Sequence, residues 1–239
     1  MMHGAWCWEA HFLDYFAAHG FGAYAVNLRG HGNSEGRERL RWVRIADYVE
    51  DVAHAVQQLP SPPILIGHSM GGFVIQKYLE NHTAPGAVLL SSPPPSGLVG
   101  TALRVAGRRP WLFAKVNVTL SLLPLIATPQ LAREAFLSAD FPEEQMRTYW
   151  PLMQDESYMA FLDMVALDLP RSAKTKTPLL VLGAARDNML ARADIEATAR
   201  AYHADADIIA DVAHDSMLET RWQTVAERIL MWLEERKLS

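Results

Sequence analysis

The sequence is nearly free of cysteine, since Cys7 is the only one among its 239 residues. A single thiol can form no intrachain disulfide and cannot supply a cysteine-rich metal site. The first residues also lack the basic segment followed by an apolar one that marks a secretory signal. We therefore expect a cytoplasmic protein without structural disulfides, and the sequence gives no reason to expect a metal or another cofactor.

An excess of positive charge and a long apolar run are also missing. The 22 Lys and Arg are outnumbered by 27 Asp and Glu, giving a net charge of −5, so we expect no nucleic-acid partner. The most apolar stretch, Trp111 to Ala127, contains Lys115, Asn117 and Pro124 and is shorter than the ~20 apolar residues of a membrane span. It is interpreted as a buried or lid helix, without stable membrane insertion. The oligomeric state is left open.

Short apolar segments alternate with amphipathic ones along much of the chain. Predicted strands are "FGAYAVN" (21–27), "PILIG" (63–67), "GAVLLSS" (86–92), "PLLVLG" (178–183) and "ADIIAD" (206–211). Predicted helices lie between them, and a long one closes the chain over 216–237. This alternation is typical of an α/β fold with a mostly parallel sheet covered by helices on both faces.

The alternation stops between residues 93 and 171. This segment is helical in pattern, rich in Leu, Met and aromatic residues, and interrupted by several prolines. We predict that residues 1–92 and 172–239 form the core and that residues 93–171 form a helical cap or lid inserted between two strands.

The motif Gly67-His68-Ser69-Met70-Gly71 follows a predicted strand and opens a predicted helix. A nucleophilic serine on such a tight strand-to-helix turn needs small neighbours, and its Oγ then projects at the sheet edge. The plainer alternative is that Ser69 only caps the following helix. The context favours a nucleophile.

A nucleophilic serine needs a base and an orienting carboxylate. His214 follows the last predicted strand, at the same sheet edge as Ser69, whereas His31 lies in a glycine-rich loop near that edge. Asp187 follows the strand "PLLVLG". The other carboxylates near the last strand are interpreted as turn residues: Asp205, Asp207 and Asp211. The resulting order Ser69, Asp187, His214 is that of α/β-hydrolases.

Over essentially its whole length the sequence resembles the α/β-hydrolase superfamily. The segments "NLRGHGNSEG", "LLVLGAARDNML" and "VAHDSML" resemble the lysophospholipase and monoacylglycerol lipase-like esterase branch. The resemblance implies a cap inserted after the sixth family strand. It implies that Ser69 is the nucleophile, His214 the base and Asp187 its orienter.

The same resemblance places the oxyanion hole. It implies that the backbone N–H of Met70 is one donor and that of Ala5 the second, with Trp6 as the alternative for the second. The side chains of Trp6 and His68 are expected to contact the substrate.

The implied activity is serine hydrolysis of a small-molecule carboxylic ester with an apolar acyl or aryl group, through an acyl-enzyme and without a cofactor. The alternatives on the same triad are carbon–carbon bond hydrolysis and cofactor-free perhydrolysis. A serine nucleophile argues against the branches that use Asp, the dehalogenases and epoxide hydrolases. A further alternative is a ligand-binding or truncated chain with little activity.

The possibility of a truncated chain is suggested by the position of the pair His3-Gly4. In the resembled family this pair follows the third strand, whereas here only Met1 and Met2 precede it. We expect roughly 20–30 residues, including N-terminal strands, to be missing relative to related proteins.

Overall fold

The structure is a computed structural model that describes residues 1–204 and 206–238. Four parallel strands form its sheet in the spatial order β1-β2-β3-β4. They are β1 (Leu65–His68), β2 (Ala87–Leu90), β3 (Leu179–Ala184) and β4 (Ala206–Ile209). The predicted α/β class with a parallel sheet is confirmed.

The helices lie before, between and after these strands. They are α1 (Trp6–Glu9), α2 (Phe12–Ala18), α3 (Ile45–Gln57), α4 (Met70–Tyr78), α5 (Val99–Arg108), α6 (Pro110–Thr119), α7 (Pro129–Phe136), α8 (Glu143–Tyr149), α9 (Tyr158–Leu162), α10 (Arg192–Ala201) and α11 (Trp222–Glu235). Short 3-10 turns occupy Arg37–Trp42, Leu123–Ile126, Trp150–Leu152 and Ser172–Lys174, and a π-helical turn occupies Asp163–Leu167. Helices α5 to α9 all lie between β2 and β3, in the stretch where the sequence alternation stops.

The central strands are buried on both faces because successive side chains point to opposite sides. Val88, Leu90, Leu180 and Leu182 belong to the apolar cluster that includes α2 and α11. Ala87, Leu89, Leu179 and Val181 belong to the opposite cluster, which includes α3, α4 and α10. This two-sided burial explains why the strands read as continuous apolar runs.

The predicted strand over 21–27 is wrong. The described chain there is irregular, and it is not among the four hydrogen-bonded strands. Tyr24 is 66% exposed and Val26 is 44% exposed. A strand needs a neighbour to satisfy its backbone groups, and none of the four strands pairs with this segment.

The last helix begins later than predicted, at Trp222 instead of Ser216. The preceding residues form buried turns, in which the Asp215 N–H donates to the Phe136 carbonyl at 2.8 Å and the Leu218 N–H to the Asp215 carbonyl at 2.8 Å.

Across the described residues, none of the helices is long and apolar enough to cross a membrane. Asp205 lies outside the described residues.

Candidate active site

Ser69 sits on the turn between β1 and α4 in a rare backbone conformation. Its φ is 51° and its ψ is −121°, a region that costs a non-glycine residue of order 1–3 kcal/mol. Its N–H donates to the Leu90 carbonyl at 2.9 Å, which extends the β1–β2 pairing to the turn. This support from the sheet holds the Oγ at the edge where the parallel strands end.

Two glycines near Ser69, Gly67 and Gly72, are required by close packing, whereas a Cβ on Gly71 would meet nothing within 4 Å. A Cβ on Gly67 would lie 2.6 Å from the backbone carbon and oxygen of Gly71, and a Cβ on Gly72 would lie 2.6 Å from the Cβ and Oγ of Ser92. Only a residue without a side chain fits either position. The motif therefore has the strand–turn–helix geometry that its sequence predicts.

His214 and Asp187 form a hydrogen-bonded chain with Ser69. His214 Nε2 lies 2.9 Å from Ser69 Oγ, and His214 Nδ1 lies 2.7 Å from Asp187 Oδ2. Asp187 Oδ1 accepts the N–H groups of Met189 at 2.7 Å and Leu190 at 2.9 Å. These bonds fix the carboxylate so that it accepts from Nδ1–H, which leaves Nε2 free to accept the serine hydroxyl proton.

The alternative histidine, His31, lies in a different buried network. Its Nε2 is 3.0 Å from Glu156 Oε2. The Glu156 carboxylate also accepts from the Tyr48 hydroxyl at 2.9 Å and from the N–H groups of Met2 at 3.1 Å and Ser157 at 2.7 Å. His31 is therefore not placed as the base of Ser69.

The His31–Glu156 pair is electrostatically coupled. Burial by itself would raise the pKa of Glu156, but the His31 charge and hydrogen bond lower it from 4.5 to about 2. Burial by itself would lower the pKa of His31, but Glu156 raises it above 6.5. Each group thus favours the charged form of the other.

Of the two predicted oxyanion donors, one is available and one is engaged. Met70 begins α4, and its N–H has no acceptor among the described residues. The Ala5 N–H donates to Asn27 Oδ1 at 2.7 Å. In this structure the Asn27 amide oxygen thus occupies the Ala5 donor that an oxyanion would need, and the Ala5 assignment stays a prediction.

The alternative donor, Trp6, begins α1 directly after Ala5. The Trp6 N–H has no acceptor among the residues that the structure describes. The Trp6 N–H is therefore available as a hydrogen-bond donor next to Ala5.

The expected substrate contacts, Trp6 and His68, do not line the cavity that contains Ser69. The Trp6 ring packs near His3 and Tyr149, with centroids 5.2 and 5.7 Å away. His68 is 7% exposed, and its Nε2–H donates to the His214 carbonyl at 2.8 Å. Packing within the core withdraws both side chains from the substrate space, so this expectation is not met.

A buried cluster lies beside Ser69, His214 and Asp187. Asp215 directly follows His214, and its Oδ2 is 3.0 Å from His3 Nε2 while its Oδ1 is 3.7 Å from His68 Nε2. Burial by itself would raise the pKa of Asp215, yet the nearby histidines, His3 foremost, lower it to about 2. Burial, and after it the neighbouring His214, lowers the pKa of His68 well below its usual 6.5.

One set of potential metal ligands lies within this cluster, in His68, His214 and Asp215, whose ligand atoms are all within 4.8 Å of one another. The His214 nitrogens, however, already contact Ser69 and Asp187. His68 Nε2 already donates to a carbonyl. The donor set is committed to hydrogen bonds and does not fit a metal ion without breaking the Ser69–His214–Asp187 chain.

Ser69 and His214 lie in the wall of a cavity of about 1030 Å³. Most of the remaining wall is apolar and comes from the segment between β2 and β3, including Leu98, Leu112, Phe113, Val116, Leu122 and Phe136. Arg104, Arg108 and Arg109 also line it. Glu134 and Glu143 line it as well, and because these arginines and glutamates are exposed, they mark the place where the cavity meets solvent.

The sequence reasoning missed Asn27, Glu156 and Asp215. Asp215 is adjacent to His214, a predicted catalytic residue, and Asn27 begins the segment "NLRGHGNSEG" on which the family resemblance rests. Their positions in the sequence could therefore have identified both residues. Glu156 is 125 residues from its partner His31, and no local pattern marks it.

We compared the chain with protein families, with curated proteins and with solved structures. The family model described as "Alpha/beta hydrolase family" matches residues 1–228. A monoacylglycerol lipase of Mycolicibacterium smegmatis is 30% identical over 195 residues, which is 75% of this chain and 65% of that protein. The match thus spans just under two thirds of the relative's length.

Solved structures share the fold at low sequence identity. The Mycobacterium tuberculosis H37Rv protein BpoC, whose name assigns it provisionally to the non-heme bromoperoxidases, has a TM-score of 0.78 at 19% identity, with coverage of 98% of this chain and 88% of that one. A monoacylglycerol lipase of Paleococcus ferrophilus has a TM-score of 0.70 at 18% identity, with coverage of 99% and 91%.

Proposed function

Because the chain belongs to the alpha/beta-hydrolase family, we propose that it is a serine hydrolase that cleaves carboxylic esters through an acyl-enzyme. The observation that carries the proposal is the Asp187–His214–Ser69 hydrogen-bonded chain at the wall of an apolar cavity. The relative named as a monoacylglycerol lipase supports the same class of reaction.

The acylation step follows from the geometry. Ser69 Oγ attacks the ester carbonyl carbon while His214 Nε2, 2.9 Å away, takes the hydroxyl proton. Asp187 stabilises the resulting imidazolium through the 2.7 Å contact with Nδ1. The carbonyl oxygen becomes an oxyanion. When the C=O bond re-forms, the C–O bond to the alcohol breaks, and His214 donates the proton to the departing alcohol oxygen.

The oxyanion is stabilised by backbone donors. We assign the first to the Met70 N–H at the start of α4, where the helix dipole also favours negative charge. We assign the second to the turn of Ala5 and Trp6, with the unengaged Trp6 N–H as the better candidate in this structure. Each donor of this kind contributes roughly 3–4 kcal/mol to the transition state.

Deacylation reverses these roles. His214 takes a proton from a water molecule, which attacks the acyl carbon, and the proton then passes to Ser69 Oγ as the acid is released. Serine, histidine and aspartate are restored, so no oxidant, reductant or cofactor is required.

We assign the apolar cavity to the acyl or aryl part of the ester. A volume of about 1030 Å³ is at the upper end of ligand sites and accommodates a long chain. Most of its wall comes from residues 93–171, which we propose act as a cap over a core of residues 1–92 and 172–239. No contact among the described residues favours carbon–carbon bond hydrolysis or perhydrolysis over ester hydrolysis.

The test is turnover of p-nitrophenyl esters of graded chain length by the wild type, Ser69→Ala and the matched control Ser96→Ala. Ser96 is exposed and does not line the cavity. We expect a burst of p-nitrophenol with wild type and Ser96→Ala, a preference for medium or long chains, and no burst with Ser69→Ala. Wild-type turnover no greater than that of Ser69→Ala would overturn the proposal.

A further inference from the structure

The last turn of α7 is joined by hydrogen bonds to two loops of the proposed triad. The last carbonyl groups of a helix have no partner within the helix and need donors from elsewhere. In α7 the Glu134 carbonyl accepts from the Asn188 side-chain amide at 3.0 Å, and the Phe136 carbonyl accepts from the Asp215 N–H at 2.8 Å. These two donors directly follow the proposed acid and the proposed base in the sequence. One helix end therefore contacts both loops.

Two further hydrogen bonds hold the chain just after α7. The Ser138 N–H donates to Glu219 Oε1 at 2.6 Å, and the Ser138 hydroxyl donates to Glu219 Oε2 at 2.7 Å. Both side chains are buried, and Glu219 lies in the turns between His214 and α11. A buried carboxyl group is costly unless it is hydrogen-bonded. The pair therefore favours one arrangement of the α7 end against the loop that carries His214.

The ring of Phe136 lies against the ring of the proposed base. The centroids of Phe136 and His214 are 5.8 Å apart, and the angle between the ring planes is 27°. Aromatic pairs attract each other at such distances, and both residues are buried. The hydrogen bonds of His214 to Ser69 and Asp187 act in the plane of the imidazole ring. Phe136 acts on its face and opposes rotation out of that plane.

The same helix forms part of the cavity wall. Its start is well defined, because the Thr128 hydroxyl accepts the Leu131 N–H at 3.2 Å and Pro129 occupies the first helical position. Leu131, Ala135 and Phe136 line the cavity. Helix α7 thus faces the cavity along its length and contacts the loops of the triad with its end.

We propose that the end of α7 positions His214 for catalysis. Phe136 and the Ser138–Glu219 pair are positioning residues, because they act through the ring and the loop of the histidine. The inference rests on the proposed ester hydrolysis, in which His214 is the base. The segment that supplies most of the cavity wall then also sets the orientation of the base.

The test compares Phe136→Leu, Glu219→Ala and Glu219→Gln with the matched control Phe161→Leu. Phe136→Leu removes the ring and keeps the backbone carbonyl. Glu219→Ala removes both acceptors of Ser138, whereas Glu219→Gln keeps one carbonyl oxygen for the Ser138 N–H. Phe161 lines the same cavity but belongs to α9, where its ring centroid is 6.3 Å from that of Tyr158. Urea unfolding measures the stability of each variant, and fluorophosphonate titration counts its active sites.

We expect kcat per active site on a p-nitrophenyl ester to fall roughly 2- to 10-fold in Phe136→Leu, with KM changing by less than about twofold. Glu219→Ala should also lower kcat, and Glu219→Gln should lie closer to the wild type. Phe161→Leu should change KM and leave kcat unchanged, because its ring faces only the substrate space. Wild-type kcat per active site in Phe136→Leu and Glu219→Ala, with or without lowered stability, would overturn the inference. An equal loss of kcat in Phe161→Leu would overturn it as well.

A second measurement does not depend on turnover. Nitrogen-15 NMR of histidine-labelled protein at alkaline pH shows which ring nitrogen of His214 carries the proton, and the His214 signals are assigned by their absence in His214→Ala. We expect one sharp Nδ1–H form in the wild type, and signals broadened by exchange in Phe136→Leu and Glu219→Ala. Unchanged signals in both variants would overturn the inference even if the esters are hydrolysed. Failure of the proposed function is a different result, namely wild-type turnover no greater than that of Ser69→Ala.

Discussion

Glu156→Gln removes the charge at the centre of a fully buried polar network. The Glu156 side chain is fully buried beside that of His31, which is 2% exposed. The carboxylate accepts hydrogen bonds from the Tyr48 hydroxyl and the Met2 N–H besides those from His31 and Ser157. A glutamine presents an amide NH₂ to this set of donors and leaves His31 without a counter-charge. We therefore expect a large loss of stability from a nearly isosteric change.

The magnitude follows from the coupling of the pair. Lowering the pKa of Glu156 from 4.5 to about 2 corresponds to about 3 kcal/mol of preference for the charged carboxylate in the folded state. Removing one partner of a buried ion pair costs about 3–5 kcal/mol in general. We expect the free energy of unfolding of Glu156→Gln to fall by about this amount near neutral pH.

The pair also gives the stability a characteristic pH dependence. The pKa of Glu156 is depressed, so its contribution is present above its usual 4.5 and is lost as the pH falls toward about 2. The pKa of His31 is raised, so its contribution is complete below its usual 6.5 and is lost as the pH rises through the raised value. The pair therefore stabilises most between about 4.5 and 6.5, and Glu156→Gln should remove this maximum.

The assay is urea unfolding of the wild type, Glu156→Gln and the control Glu9→Gln at a series of pH values. Glu9 is exposed, so its substitution should change the free energy of unfolding by less than about 0.5 kcal/mol. The reasoning would be refuted by a loss below about 1 kcal/mol in Glu156→Gln, or by a difference from the wild type that does not vary with pH.

Three further substitutions test the site itself. Asp187→Asn should lower kcat on an activated ester by about 10⁴-fold with little change in KM, because Nδ1 loses the carboxylate that fixes its tautomer; a loss of less than tenfold, measured by steady-state kinetics, would contradict this role. Gly67→Ala should abolish activity and lower the melting temperature, because its Cβ would lie 2.6 Å from the Gly71 backbone; wild-type activity would show that the turn can relax. Asp215→Asn should lower kcat more than it changes KM, since His3 and His68 lose the buried charge that lies beside them and that directly follows the proposed base, His214. Unchanged kcat in a folded Asp215→Asn variant, verified by its unfolding curve, would assign that cluster no part in the reaction.

The sequence predicted best those features that depend on neighbouring residues, such as the Ser69 turn, or on the order of the strands, such as the residues at the strand ends. The motif from Gly67 to Gly71 predicts its own turn, because at Gly67 only a glycine avoids a close contact with the Gly71 backbone. Asp187 and His214 follow β3 and β4, and parallel strands end at one edge, so their approach to Ser69 could be predicted without knowing a distance. The parallel sheet followed from the continuous apolar runs.

Long-range pairing could not be predicted in this way. Residues 21–27 have the local pattern of a strand, but a strand also needs a hydrogen-bonding neighbour, and the four strands of the sheet do not include this segment. The side chain of Asn27 takes the Ala5 N–H from 22 residues away, which changes the expected oxyanion donor. Glu156 contacts His31 although the two residues are 125 positions apart in the sequence. Such contacts depend on tertiary packing and leave no periodic signal.

The central claim is that Ser69 is a nucleophile activated by His214. It is tested most directly by labelling the protein with a fluorophosphonate and mapping the modified residue by peptide mass spectrometry. We predict a single adduct on Ser69, formed rapidly in the wild type and far more slowly in a folded His214→Ala variant. Labelling at another serine, or labelling of Ser69 at the same rate without His214, would contradict the account.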